Sequence, residues 1–141
     1  MNKSPVVIVD ADAIIAQANP NDTHHLRALK ISQQLIKQHA QVIYPVTAVL
    51  EAATHIQRVL KSNATAYGAV QLLSTQDATI AEVNQETLQG ALKYFNVSST
   101  KKNTFFDCIV ATIADKYNAD AIFSFDQFYV KKGFKLAEKL K

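Results

Sequence analysis

Apolar residues along the chain fall into continuous runs and spaced ones. Pro5-Val6-Val7-Ile8-Val9 is unbroken and mostly β-branched and stops at Asp10, the pattern of a strand buried on both faces of a parallel sheet. It is read as the first, central strand. Ala11 to about Gln17 is compatible with helix, and Asn19-Pro20-Asn21-Asp22 forms a turn. Leu26, Leu29, Leu35 and Ile36 then resume a helical rhythm that predicts a helix from about Thr23 to His39. Gln41-Val42-Ile43-Tyr44 reads as a short strand closed by Pro45, after which Val49, Leu50, Ala53 and Ile56 recur at helical spacing as far as Leu60.

The second half repeats the alternation. Ala64 to Leu73 is helical, Thr79 to Val83 alternates as a short strand, and Glu86 to Phe95 is helical again. Asn96 to Asn103 is the one long polar loop, ahead of a helix from about Thr104 to Tyr117 that Asn118 ends. Ala121-Ile122-Phe123-Ser124-Phe125 is a strand reaching Asp126, and Phe134-Lys135-Leu136, after Gly133, is a last edge strand. Strands alternating with helices predict an α/β fold, one domain over residues 1–141, with a central, mostly parallel sheet flanked by helices. Such sheets bind ligands beyond the carboxyl ends of their strands. Asp10 and Asp126 both occupy that position, so neighbouring strands would give them a shared site.

Composition narrows the chemistry. At 141 residues and 48% hydrophobic, the chain can fill one core without disulfides or structural metal. Cys108 is the only cysteine, which excludes an intrachain disulfide, and no Cys and His spacing suggests zinc. The run Val6 to Val9 is too short for a signal-peptide core, and no stretch reaches the ~20 apolar residues of a membrane span. A soluble, cytoplasmic protein with no membrane partner is the expectation. A formal net charge of +3 admits a polyanionic partner without requiring one.

Each acid at an element end has an ordinary structural reading. Asp10 suits the N-cap of the helix it precedes, and Asp12 a first turn favoured by the helix dipole. Glu51 lies one turn inside a helix whose natural N-cap is Thr47, among Ala48, Val49, Leu50, Ala52 and Ala53, and reads equally as a solvated face. Thr104-Phe105-Phe106-Asp107 has capping-box spacing, and Asp126 suits the start of a turn. Together the four acids Asp10, Glu51, Asp107 and Asp126 meet another need. Magnesium and manganese take oxygen ligands from carboxylates converging from different elements, and ions so held activate water for in-line attack on a phosphodiester. Ser124, on the same strand face as Asp126, is placed to hydrogen-bond a ligand or a water.

Val7-Ile8-Val9-Asp10-Ala11-Asp12, Pro45 to Glu51, Phe106-Asp107-Cys108-Ile109-Val110-Ala111 and Ile122-Phe123-Ser124-Phe125-Asp126-Gln127-Phe128 resemble, in order, the successive motifs of PIN-domain ribonucleases. Length and layout are most similar to VapC-type toxins of toxin-antitoxin modules. The resemblance implies a divalent-metal ribonuclease using Mg2+ or Mn2+, often a homodimer, often inhibited by a small antitoxin protein. By matching position it makes Asp10, Glu51, Asp107 and Asp126 the metal-site and catalytic acids. Ser124 supports them as the Ser or Thr that often precedes the last acid. Asp12 stands where many relatives have Asn, Ser or Thr, which leaves it as ligand or bystander.

Other residues divide between chemistry and plain structure. Lys101 and Lys102, in the loop before Asp107, are candidate contacts for RNA phosphates, with a solvated loop as the alternative. Lys131, Lys132, Lys135, Lys139 and Lys141 read as a solvated basic tail, Cys108 as core packing, and His24 and His25 as exposed residues at a helix start. The rival enzyme is a haloacid-dehalogenase-like phosphatase, with Asp10 as nucleophile and Asp12 as acid/base in Val9-Asp10-Ala11-Asp12. Its late Gly-Asp or paired-Asp motif is missing around Ser124-Phe125-Asp126. A catalytically silent RNA- or partner-binding PIN module is the non-enzymatic alternative.

Overall fold

A computed structural model describes residues 3–75, 77–98 and 102–141 of the chain. Strands β1 (Val6–Val9), β2 (Gln41–Pro45), β3 (Thr79–Ala81) and β4 (Ala121–Phe123) form one parallel sheet in the order β3-β2-β1-β4. β1 is interior, as its unbroken apolar run predicts. The described helices are α1 (Ala11–Ala18), α2 (His25–Lys37), α3 (Val46–Arg58), α4 (Asn63–Leu73), α5 (Gln85–Ala91), α6 (Phe105–Lys116) and α7 (Phe128–Lys131). None is long and apolar enough to cross a membrane.

Successive strand residues point to opposite faces, and both faces here are covered. Val7 and Val9 join Ile14, Ile31, Leu35 and Val49 on one side; Ile8, Ile43 and Ile122 join Ile109, Ile113 and Tyr129 on the other. Each fully buried aliphatic side chain contributes roughly 1.5–3 kcal/mol, so the β1 run alone anchors the layering.

The apolar rhythm located the helices better than their buried faces. In α2 the buried stripe is Ala28, Ile31 and Leu35, while Leu26 and Ile36 are exposed. In α3 it is Ala48, Val49, Ala52 and Ile56, with Leu50 outside. Small alanines let these helices lie close to their neighbours, leaving some of the larger side chains outward. α3 also begins earlier than expected. It starts at Val46 directly from Pro45, so Thr47 is inside the helix rather than its N-cap.

Near its end the chain departs further from expectation. β4 stops at Phe123, because Ser124 and Phe125 turn to meet Asp12, and the unpredicted helix α7 follows. The expected edge strand Phe134 to Leu136 reduces to a single parallel bridge between Leu136 and Ile122, with Ile122 N donating to Lys135 O at 2.9 Å. Asn118 ends α6 as expected, in the left-handed region at φ 49°, which Asn tolerates better than most residues.

Candidate active site

β1 and β4 are paired in register, Val9 opposite Phe123, and Asp10 N continues the ladder to Phe123 O at 3.0 Å. That one extra bond sets Asp10 beside Ser124 at the carboxyl end of the sheet. In a parallel α/β fold every connecting helix runs back against its strand, so helix N-termini gather at this same end. α1 and α6 bring their first-turn acids there.

Asp10 is 4% exposed and is the N-cap of α1, its Oδ1 accepting from Ala11 N at 2.7 Å. Its Oδ2 accepts from the Tyr129 hydroxyl at 2.7 Å and lies 3.3 Å from Ser124 Oγ. Ser124, itself buried, has a closer acceptor in Asp12 Oδ2 at 3.0 Å, and receives Asp126 N at 3.1 Å. Asp12 Oδ2 also takes Phe125 N at 2.8 Å, whereas its buried Oδ1 has no hydrogen-bond partner among the described residues.

Asp107 forms its half of a capping box, with Thr104 N donating to its Oδ2 at 3.1 Å. The Asn103 amide donates to that same oxygen at 3.1 Å and to Asp126 Oδ2 at 2.9 Å. Asp126 Oδ1 accepts from Phe128 N at 2.9 Å, opening the turn into α7. Tyr129 Oη is 3.4 Å from Asp107 Oδ1. The capping and turn readings of Asp10, Asp107 and Asp126 are therefore all met, and the same three side chains are joined through Tyr129 and Asn103. Capping and clustering are compatible because each carboxylate has two oxygens and about four lone-pair sites.

Glu51, half-buried on α3, makes no hydrogen bond among the described residues but lies within electrostatic reach of Asp107 and Asp12. Burial, then those two charges, push its carboxyl up to about 7. Asp10 is held well above the ordinary carboxylate range, by burial first and then by Asp12 and Asp107. Asp12 and Asp107 are also raised, mainly by burial, despite the donors that oppose the shift.

Among the described residues no lysine or arginine forms an ion pair with any of these acids; the two ion pairs are Arg27–Glu138 and Lys93–Asp115. Nor do three His, Cys, Asp or Glu side chains close into a ready cage for an ion. The arrangement is an open set of carboxylate oxygens that no side-chain cation pairs with among the described residues.

Of the remaining candidates, Lys102 is exposed and Lys101 lies outside the described residues. Cys108 is buried, as expected. His24 is not the exposed residue anticipated. It stacks on Phe125, ring centroids 4.3 Å apart, with the Arg27 guanidinium 4.9 Å from the same ring. His25 Nδ1 lies 2.6 Å from Ala16 O. Sequence reasoning assigned no role to Tyr129 or Asn103. Tyr129 carried no signal beyond following Asp126 by three residues, and Asn103 was only the last residue of a polar loop.

No protein-family model and no curated protein matches the chain by sequence. Its fold is similar to the crystal structure of Mycobacterium tuberculosis VapC20, titled a Sarcin-Ricin loop cleaving toxin, at TM-score 0.78 and 16% identity, covering 91% of this chain and 95% of that one. The chain has the fold of a VapC-type PIN domain.

Proposed function

We propose that this protein is a divalent-metal-dependent ribonuclease of the VapC type, hydrolysing RNA phosphodiester bonds at Asp10, Glu51, Asp107 and Asp126. The observation that carries the reading is the gathering of these acids, with Asp12, at the carboxyl end of the sheet without a lysine or arginine partner among the described residues. Buried carboxylates so placed must take up protons or a cation. The fold likeness to a toxin that cleaves the Sarcin-Ricin loop favours the second outcome.

The donor chemistry fits Mg2+ or Mn2+: all the groups are hard oxygens, and the buried Asp12 Oδ1 has no donor among the described residues. Asp10, Glu51, Asp107 and Asp126 would hold the metal, which when bound supplies an activated water and charge to stabilise the leaving oxygen. The chain's own groups do the rest. The N-termini of α1 and α6 add partial positive charge at the same end, favouring the acids there. Ser124 and Phe125 N fix Asp12, which thereby ties α1 to the turn carrying Asp126. Glu51 makes no hydrogen bond among the described residues, so its carboxylate is open to a cation. An RNA substrate, an antitoxin-like protein partner, a homodimer and a cytoplasmic location belong to the same proposal.

The phosphatase alternative is disfavoured by the fold likeness to VapC20 and by the missing Gly-Asp or paired-Asp motif around Asp126. Incubation with single-stranded and structured RNA in Mn2+ tests the proposal. Cleavage is expected, and excess chelator should abolish it. Undiminished cleavage in chelator, or phosphatase turnover through a covalent intermediate at Asp10, would overturn it; RNA binding without turnover would favour the silent module.

A further inference from the structure

Two neutral donors stand between the acids, and neither has a role in the scheme above. Tyr129 is 0% exposed, its ring packed among the buried residues on the α6 side of the sheet and edge-on to Phe128. A buried tyrosine normally finds a partner for its hydroxyl. Here its one proton goes to Asp10 Oδ2 at 2.7 Å, and the hydroxyl oxygen also lies 3.4 Å from Asp107 Oδ1. On the far side of Asp107, the Asn103 amide has two N–H groups and spends them on Asp107 Oδ2 and Asp126 Oδ2. The order of contact is Asp10, Tyr129, Asp107, Asn103, Asp126, with Asn103 donating to Asp107 Oδ2 and the Tyr129 hydroxyl 3.4 Å from Asp107 Oδ1.

Resting on the ribonuclease reading, we propose that Tyr129 and Asn103 are positioning residues that set the spacing of the three aspartates for a divalent cation. Like charges gathered at a half-dry site repel one another, and their side chains would otherwise swing toward solvent. A neutral donor between two acids offsets the repulsion without adding a positive charge to compete with the metal. The burial of the Tyr129 ring makes its hydroxyl a fixed point, whereas Asn103 is half-buried in a loop. Outer-shell partners of this kind typically change metal affinity by ~10–100-fold when removed.

The test is Mn2+ binding, followed by the electron paramagnetic resonance of the free ion, on wild type, Tyr129→Phe and Asn103→Ala. Melts in chelator would check folding. Tyr129→Phe deletes one hydroxyl and keeps the buried ring. Its dissociation constant for Mn2+ should rise about 10-fold or more, and the Mn2+ concentration giving half-maximal RNA cleavage should rise by the same factor. Asn103→Ala should shift both in the same direction. Variants that melt lower in chelator yet bind Mn2+ as wild type does would overturn the inference, leaving a structural role and an intact ribonuclease reading. Wild type that neither binds Mn2+ nor cleaves RNA would overturn the reading beneath it. Should Tyr129→Phe not fold, Asn103→Ala, at its loop position, decides alone by the same titration.

Discussion

Asp120 and Asp10 stand at opposite ends of the same strand pair. Asp120, just before β4, is exposed; its Oδ2 accepts Val6 N at 2.8 Å while its own N–H bonds Val6 O at 2.8 Å. Asp10, just after β1, is buried among other acids. Both accept a hydrogen bond from a backbone N–H, so that bond alone does not separate a structural carboxylate from a candidate catalytic one. What separates them is the direction of the parallel sheet. Helix N-termini collect at the carboxyl end, bringing Asp12 and Asp107 in on α1 and α6, whereas the amino end receives helix C-termini, beside which further carboxylates are disfavoured.

Substitution at the two ends gives the sharpest contrast. Asp10→Asn should lower RNA cleavage on the order of 100- to 1,000-fold, the several kcal/mol that a metal-held charge supplies, while Asp120→Asn should leave the rate within about twofold. Equal effects measured on purified proteins in saturating Mn2+ would erase the distinction.

Stability should divide the ends next. Mn2+ at ~100-fold above its dissociation constant should stabilise wild type by roughly 2.7 kcal/mol if it binds only the native fold. Asp126→Asn keeps an oxygen for Phe128 N, so its turn persists, and it removes one of several crowded charges. In chelator it should melt no lower than wild type, yet gain clearly less from Mn2+. A variant that melts lower in chelator and keeps the full gain would make Asp126 a turn residue only.

A smaller effect concerns pH. A carboxyl whose folded pKa lies above its unfolded value favours folding while protonated, and that contribution fades as pH rises through the folded pKa. Glu51, raised from 4.5 to about 7, therefore supports the metal-free fold below 4.5 and loses that support by about pH 7. In chelator, Glu51→Gln should match wild type near pH 4.5 and exceed it by about 1 kcal/mol at pH 8, after a discount for the exposure of Glu51. Thermal melts that stay parallel across this window would show that Glu51 does not share the field of Asp107 and Asp12.

The smallest expected change is in RNA binding. Replacing Lys101 and Lys102 together with Ala should lower the salt slope by about 1.4 if each neutralises one phosphate of a single strand. An unchanged slope returns both to a solvated loop.

Much of this was legible in the chain. The β-branched run ending at Asp10 gave β1 and its interior place, since burial on both faces leaves no room for alternation. The spacing of Thr104 and Asp107 gave the start of α6, and Asn118 its end. Asp10, Glu51, Asp107 and Asp126 were singled out as acids at element ends that together suit a divalent cation, in motifs that resemble those of PIN-domain ribonucleases. Other features were not legible. The exposure of Leu26, Ile36 and Leu50 depends on which alanines let helices approach, and periodicity weights large residues over small ones. His24 gained its stack on Phe125 from a segment far along the chain.

The sequence by itself determined the order of strands and helices as far as β4, because those follow from local periodicity and from turn and cap chemistry within a few residues. It also determined which acids sit at element ends. Only the tertiary structure decided that β1 lies between β2 and β4, that Ser124 sits within reach of both Asp10 and Asp12, and that Tyr129 and Asn103 stand between the aspartates. The contacts of Ser124 and Tyr129 with Asp10, Asp12 and Asp107 join residues 22 to 119 positions apart, set by sheet register and by the return of α7 beneath the site, and no local pattern carries them.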